Sequence, residues 1–389
     1  MIPYTDFLYF GIALYALIPA TLLGLLRRFG RAWLVIATLF MLTVQYLGIT
    51  GDSSWPLNGL VLVLAYTVSQ WLVAAGWLAL RRRGPTRLGF YGAVLLGVAP
   101  LLAAKFAALA GIEYPLVFVG LSYVTFRALD VLIGIQDGAI KHIDPLRYFA
   151  FLLFFPVISS GPIDRYRRFS EDWERQRSRS EVLTDIDGGI HRIFTGFLYK
   201  FILAALIQQH WMDPVAQQAG ILPVASYMYA YTLYLFFDFA GYSAFAVGFS
   251  YLLGVRTPEN FHRPFIARDI RDFWNRWHMS LSFWFRDHIY NRFIFSALKG
   301  HWFHSPQVAS SVGYLLTMGL MGLWHGTALH FLAYGLYHGI LLAVTSTLDR
   351  RYKENRLLNS QMWSWRLASV FITFHLVAFG LLIFSGRLF

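Results

Sequence analysis

Residue types able to move a proton or orient a carbonyl concentrate in two places along the chain. The first reads R-D-F-W-N-R-W-H-M-S-L-S-F-W-F-R-D-H-I-Y-N-R-F from Arg271 to Phe293. At 100° per residue, Arg271, Asn275, His278, Ser282 and Arg286 fall within about 60° of one another on a helical wheel, while Phe273, Trp277, Leu281 and Trp284 gather on the other side. Set in a cavity, a neutral His278 could orient a substrate or assist proton transfer, with Asn275 and Ser282 as candidate substrate contacts. The same pattern describes an interfacial amphipathic helix whose tryptophans anchor in the headgroups, and on pattern alone that is the commoner case. The second place is M-G-L-M-G-L-W-H-G, Met318 to Gly326, where His325 closes an apolar run behind Trp324. Gly319, Gly322 and Gly326 lie near one another on a helix surface and would let a neighbouring helix or a ligand come close. A lone intramembrane histidine is most often a hydrogen-bonded core residue, yet buried polar groups are costly enough in a bilayer to make a functional role worth testing.

Other polar groups are embedded in apolar sequence. Asp238, in F-F-D-F-A-G-Y-S, has no nearby base in sequence and reads first as a structural hydrogen-bonding group. Lys200 could snorkel or pair with an acid such as Asp238, and Arg127 and Asp130, three apart on one helix, could neutralise each other. His330 and His338 follow His325 by five and thirteen residues, not by the i, i+4 spacing with an intervening glutamate that a helical zinc site needs, so no metal is expected. His301 and His304 lie in a turn-rich hydrophilic stretch and read as solvated. There is no Walker A lysine loop, dinucleotide glycine fingerprint, nucleophile-elbow serine or H-x4-D acyltransferase signature. Cysteine is absent, so a covalent intermediate on this chain would have to use oxygen or nitrogen.

The elements that must position these groups are membrane helices. The 389 residues are 57% hydrophobic and only 14% charged, well above the apolar usage of soluble domains. Lysine and arginine outnumber the acids 33 to 21, and a net +12 on so apolar a chain fits positive-inside loops better than nucleic-acid binding. Unbroken apolar runs of helix length exclude a strand-based barrel, so the fold class is all-α and polytopic. The run Phe7–Leu26 is followed by Arg27, Arg28 and Arg31, has no basic region before it and no small-residue cleavage site after it, and reads as a span rather than a signal peptide. Further runs lie at 33–50, 60–80, 88–110, 115–135, 190–208, 223–254, 308–347 and 363–386, some too long for one span, giving about 9 to 12 crossings in one domain over 1–389. The Lys- and Arg-free turn at 51–56 between the clusters around Arg27 and Arg81–Arg83 puts both clusters in the cytoplasm and the N-terminus outside, in a cell membrane. Tyr148–Ile163 is apolar but short and broken by Pro156, Ser159, Ser160, Gly161 and Pro162, which predicts a re-entrant element ahead of a cytoplasmic polar insert at 165–187.

At this density of motifs the chain resembles the membrane-bound O-acyltransferases, in particular their D-alanyl-transferring branch. Trp274–Asp287 resembles the family's signature stretch and Met321–Gly326 the segment carrying its near-invariant histidine. Leu121–Arg127, Ser160–Arg165, Gly196–Phe201 and Phe236–Ser243 are similar to segments of that branch in the same order. His288 and Tyr290 stand where more apolar residues would be expected. The resemblance implies a helical ring with re-entrant segments around a central cavity or tunnel, with His325 and His278 near it as catalytic residues and Ser282, Asn275, Trp324, Asp238 and Ser160 as tunnel or substrate residues. It implies a donor in which D-alanine is held as a thioester on the phosphopantetheine arm of a small acidic acyl-carrier protein (DltC-like), with no permanently bound cofactor. Arg286, Arg292 and Lys299 beside Phe293, Ile294 and Phe295 offer that carrier a basic and apolar cytoplasmic surface. His325 would be the general base towards the acceptor hydroxyl, and His278 would position thioester or acceptor. The acceptor would be a teichoic-acid hydroxyl, a DltD-like membrane protein or a small tyrosine-bearing peptide. Two alternatives are O-acetylation of an exported polysaccharide, as by the alginate O-acetylases that share both histidine motifs, and a lipid or acyl transporter, for which no internal repeat is visible.

Overall fold

A computed structural model describes residues 1–26, 30–47, 56–84, 86–112, 117–355 and 363–389. Arg27, Arg28 and the turn at 51–55, on which the topology was argued, lie outside them. The described residues form helices and connecting turns with no β-strand. In order they are α1 (Phe7–Leu25), α2 (Arg31–Leu47), α3 (Pro56–Arg83), α4 (Arg87–Leu109), α5 (Leu121–Gln136), α6 (Pro145–Leu153), α7 (Tyr166–Glu174) and α8 (Arg179–Phe197). The helix of α8 runs on through π-helical turns and the short α9 (Ala205–Ile207) and α10 (Asp213–Ala216). Then come α11 (Ile221–Leu252), α12 (Ile270–Trp274), α13 (Met279–Phe285), α14 (Asn291–Lys299), α15 (Pro306–His325), α16 (Leu329–Asn355) and α17 (Trp363–Phe384).

Seven described helices are long and apolar enough to cross a membrane: Phe7–Leu25, Gly59–Arg83, Arg87–Leu109, Arg179–Ala216, Ile221–Leu252, Leu329–Arg350 and Trp363–Phe384. Arg31–Tyr46 and Pro145–Val157 are shorter apolar helices. The long run at 223–254 is one helix, whereas the run at 308–347 breaks at Gly326 into α15 and α16. Several boundaries follow local chemistry. Asp6, Asp144 and Ser305 cap α1, α6 and α15 by accepting the backbone N–H three residues on, and Pro145 and Pro306 open their helices where no N–H is needed.

The chain forms two compact units, Met1–Gly196 with Tyr242–Pro258, and Phe197–Gly241 with Glu259–Phe389. In the first, the expected break after α6 is present: a single 3₁₀ turn at Phe155–Val157 and irregular backbone lead to Asp164. Tyr148, Phe151, Phe154, Phe155 and Ile158 are fully buried there. Tyr4 donates to the Pro156 carbonyl at 3.1 Å from a nest of Tyr9, Tyr242, Phe245 and Phe249. Gly120, at φ 93°, takes a left-handed turn against the Ile158 carbonyl, where a Cβ would overlap that oxygen. The polar insert is helical: α7 and the start of α8 carry an ionic lattice in which Arg168 joins Asp164 and Asp172, and Asp185 joins Arg177 and Arg256.

One sequence expectation fails in this unit. Arg127 and Asp130 do not neutralise each other. Buried Arg127 donates to the Phe151 carbonyl at 2.8 Å, while Asp130 takes the Arg165 guanidinium at 2.9 Å and the Tyr166 N–H at 3.0 Å. The start of α7 brings a cation and an N–H to Asp130, a better donor set than one side chain three residues away.

Candidate active site

In the second unit the 271–293 stretch is not the single amphipathic helix that its periodicity suggests. α12 ends at Trp274, the chain turns through Asn275–Trp277, and α13 starts at Met279. His278 is the hinge, with φ 42° and ψ 48° in the left-handed region, which costs a non-glycine residue about 1–2 kcal/mol. The wheel therefore does not describe the surface, because its phase is reset at residue 278. Surrounding bonds hold the strained turn. The His278 carbonyl accepts Leu281 N–H at 3.1 Å and Ser282 N–H at 2.9 Å. Ser282 Oγ donates to the Trp277 carbonyl at 3.0 Å. Fully buried Asn260 accepts Met279 N–H on its own carbonyl at 2.9 Å, and its side-chain oxygen accepts Ser280 Oγ–H at 2.6 Å.

This turn puts the His278 ring inside an aromatic nest. It is 3% exposed, lies edge-on to Phe239 at 4.7 Å and packs on Trp324 at 6.3 Å. Its Nε2 is buried with no hydrogen-bond partner among the described residues. Burial, and after it the charge His325 would carry, push the imidazole well below its usual range, so His278 is neutral at pH 7. His325 reaches the same place from the C-terminal end of α15. Its half-buried ring packs at a tilt against Trp324 at 4.6 Å and makes edge contacts with Phe384 at 5.0 Å and Tyr334 at 6.2 Å. Trp324 thus touches both imidazoles, which the sequence separates by 47 positions. Glycines on both sides of His325 bring α15 and α16 close: a Cβ on Gly322 would overlap the Phe331 carbonyl, one on Gly326 the Phe331 ring, and one on Gly335 the Met318 carbonyl.

A cavity of about 240 Å³ opens beside the signature stretch, with Arg271, Trp274, Asn275, Ser282, Arg286 and Tyr290 on one wall and Thr317, Met318 and Met321 of α15 on the other. Three of the expected residues, Asn275, Ser282 and Arg286, border it; neither histidine does. Trp274 Nε1 and Thr317 Oγ1 are buried there without a partner among the described residues. Asp238 pairs with Lys200, the partner sequence had offered for it. Ser160 belongs to the first unit, where its N–H donates to Tyr242 Oη at 3.1 Å. On α14, Phe295 is 69% exposed and Lys299 lies over its ring at 6.0 Å, whereas Phe293 and Ile294 are half-buried towards Gly313 of α15. Arg286 lies over Phe283 at 4.4 Å and pairs with Asp287, and Arg292 is half-buried.

A model of the membrane-bound O-acyltransferase family matches residues 32–385. The chain belongs to that family. It is therefore a multi-pass membrane acyltransferase, and the paired histidines lie within the matched span. Among its relatives, teichoic acid D-alanyltransferase of Bacillus subtilis (strain 168) is 41% identical over 397 residues, with 100% of this chain and 98% of that one covered. The protein of that name from Streptococcus thermophilus is 37% identical, with 98% and 94% covered. The probable alginate O-acetylase AlgI of Pseudomonas syringae pv. tomato is 30% identical, with 77% of this chain but only 55% of that one covered.

Sequence reasoning missed four residues that surround the two histidines or hold the His278 turn: Asn260, Phe239, Tyr334 and Phe384. Asn260 sits in T-P-E-N-F-H, where no periodicity flags it, and the three aromatics meet the histidines only through the fold.

Proposed function

We propose that this acyltransferase moves D-alanine from a carrier-protein phosphopantetheine thioester to a hydroxyl acceptor of the cell envelope. The observation that carries the reading is the meeting of His278 and His325 at the Trp324 ring, in a chain alignable end to end with teichoic acid D-alanyltransferases. An acidic carrier would dock on the α14 surface, where Phe295 supplies apolar area and Lys299, Arg292 and Arg286 supply charge. The arm would pass along the cavity walled by Asn275 and Ser282 towards the histidines.

The acceptor oxygen attacks the thioester carbonyl as His325 removes its proton. The C–O ester bond forms, the C–S bond breaks, and the imidazolium returns the proton to the departing sulfur, so the step closes without a metal or a covalent enzyme intermediate. Such general-base assistance is worth roughly 10²- to 10⁴-fold. His278, neutral and fixed, orients the carbonyl and adds no competing charge.

Charge distribution supports an orientation. α15 begins at Pro306, close to the end of α16, since Gln307 binds Thr347 at 2.9 Å and Arg271 pairs with Asp349. Its 20 residues carry His325 about 30 Å away from that basic end. The basic end faces the cytoplasm of a cell-membrane protein whose N-terminus is outside.

The test uses purified protein and carrier loaded with labelled D-alanine. Label should move to a hydroxyl acceptor with the intact protein and stop in His325→Ala and His278→Ala variants that still insert. Full transfer by His325→Ala would end the general-base assignment, and transfer of acetyl but not D-alanyl groups would overturn the donor.

A further inference from the structure

The first unit holds a cavity that the transfer step above does not use. Its volume is about 320 Å³, and its walls include Leu101, Lys105 and Ala108 of α4, Ser122 at the start of α5 and Ser159 of the broken segment. Ser159 is already bonded to Tyr242 Oη, which leaves Lys105 as the charged group of a largely apolar lining. No carboxylate among the described residues lines it. Gly120, whose left-handed turn abuts the Ile158 carbonyl, borders the same space, so an occupant would lie against the junction of α5 and the broken segment.

The helix that carries Lys105 faces lipid. Only 11% of the apolar span of α4 is buried inside the protein, and Leu102, Phe106 and Leu109, close to Lys105 in sequence, are exposed. The charges of α4 are Arg87 at its first position and Lys105 four residues before its last. At 1.5 Å per residue they stand about 27 Å apart, close to the thickness of the hydrocarbon core, so a snorkelling Lys105 reaches the interface opposite Arg87. We propose that this cavity binds an anionic phospholipid, with the phosphate on Lys105 and an acyl chain against Leu101, Phe118 and the exposed apolar residues of α4. An ammonium carries three N–H donors and can join a phosphate without giving up a contact within the chain. A free phosphate would meet the charge but leave the apolar wall uncovered, and a space of this size suits a small amphiphile, not a folded partner. The proposal is independent of the donor and of the acceptor.

The test is native mass spectrometry of the full chain in detergent, titrated with phosphatidylglycerol or with phosphatidylcholine of the same acyl chains. Wild type should bind phosphatidylglycerol about tenfold more tightly, the worth of one charge-assisted phosphate contact. Lys105→Gln should bring the two lipids within about twofold, and Lys105→Arg should keep most of the preference. Ala108→Trp, which fills the cavity from an exposed position and keeps the charge, should weaken both lipids several-fold. Equal lipid preference in wild type and Lys105→Gln overturns the proposal. So does an unchanged affinity in Ala108→Trp, which would put the lipid outside the cavity and also decides the matter should Lys105→Gln fail to insert. Displacement of the bound lipid by millimolar soluble glycerol phosphate would show an anion site in place of a lipid site and overturn it as well.

Discussion

Replacing Asn260 by alanine should disable the site at a distance from any reacting atom. Asn260 is fully buried, and its Oδ1 takes Ser280 Oγ–H at 2.6 Å, two residues beyond the left-handed His278. The variant deletes that bond and strands a buried serine hydroxyl, a loss of about 2–3 kcal/mol when the forfeited bond and the orphaned donor are taken together. It also removes a restraint on a turn that resists its own backbone by about 1–2 kcal/mol. If half the loss is felt at the His278 ring, kcat/KM falls about tenfold, since 1.4 kcal/mol is one decade. The assay is a double-mutant cycle over Asn260→Ala, Ser280→Ala and the pair, reading thermal unfolding in detergent and D-alanyl transfer on the same preparations. Ser280→Ala in the Asn260→Ala background should be nearly silent, giving a coupling of about 0.5–3 kcal/mol. Additive stability losses, or a stability loss with kcat/KM unchanged, would refute the view that Asn260 holds the histidine in its strained posture.

Three further outcomes follow from the same coordinates. Phe295→Asp and Lys299→Glu, on the exposed face of α14, should raise the KM for the loaded carrier with little change in kcat, and the Lys299 effect should shrink as salt rises; an unchanged KM would move the docking surface elsewhere. The imidazole of His278 is held below its usual range when folded, so as pH falls through about 6.5 the unfolded chain takes up a proton that the folded one refuses, and stability declines towards the folded pKa. His278→Asn should flatten that decline in a thermal-shift series from pH 7.5 to 5.5, and an identical slope would show another group responsible. Lys200→Met and Asp238→Asn should each destabilise by about 1–2 kcal/mol, while the double variant should be milder than either, because each single change strands a partly buried charge; additive losses would argue that the pair does not matter as a pair.

The all-helical class, the polytopic character, the broken segment after α6 and the Lys200–Asp238 pair were legible because each depends on composition or local chemistry: apolar run length, proline and glycine, one acid and one base. The glycines at 319, 322 and 326 likewise announced a close helix, and α16 is that helix. The geometry of the site was not legible. Periodicity assumes a continuous helix, and a single left-handed residue at 278 rephases everything after it, so five residues assigned to one face are spread over α12, the turn after it, α13 and the π-helical turn that follows. His278 itself carries no propensity for that conformation; Asn260 and Ser282 impose it through bonds that no spacing rule reports. Partner choice failed in the same way for Arg127 and Asp130, whose best acceptors and donors lie on elements far away in sequence.

The two histidines differ in how they are held, and the difference bears on which of them moves the proton. His278 is 3% exposed, fixed by a strained backbone and several hydrogen bonds nearby, and neutral by burial. Such a group is preorganised to hold a dipole but badly placed to trade protons, since charging it means desolvating an imidazolium. His325 is half-buried at a helix end, tilted against Trp324 and in edge contact with Phe384 and Tyr334. The last turn of α15 presents its negative dipole end to a transient imidazolium at that position. A base that must gain and lose a proton in every cycle belongs at such a position. A neutral partner at the same indole lowers the charge it has to share.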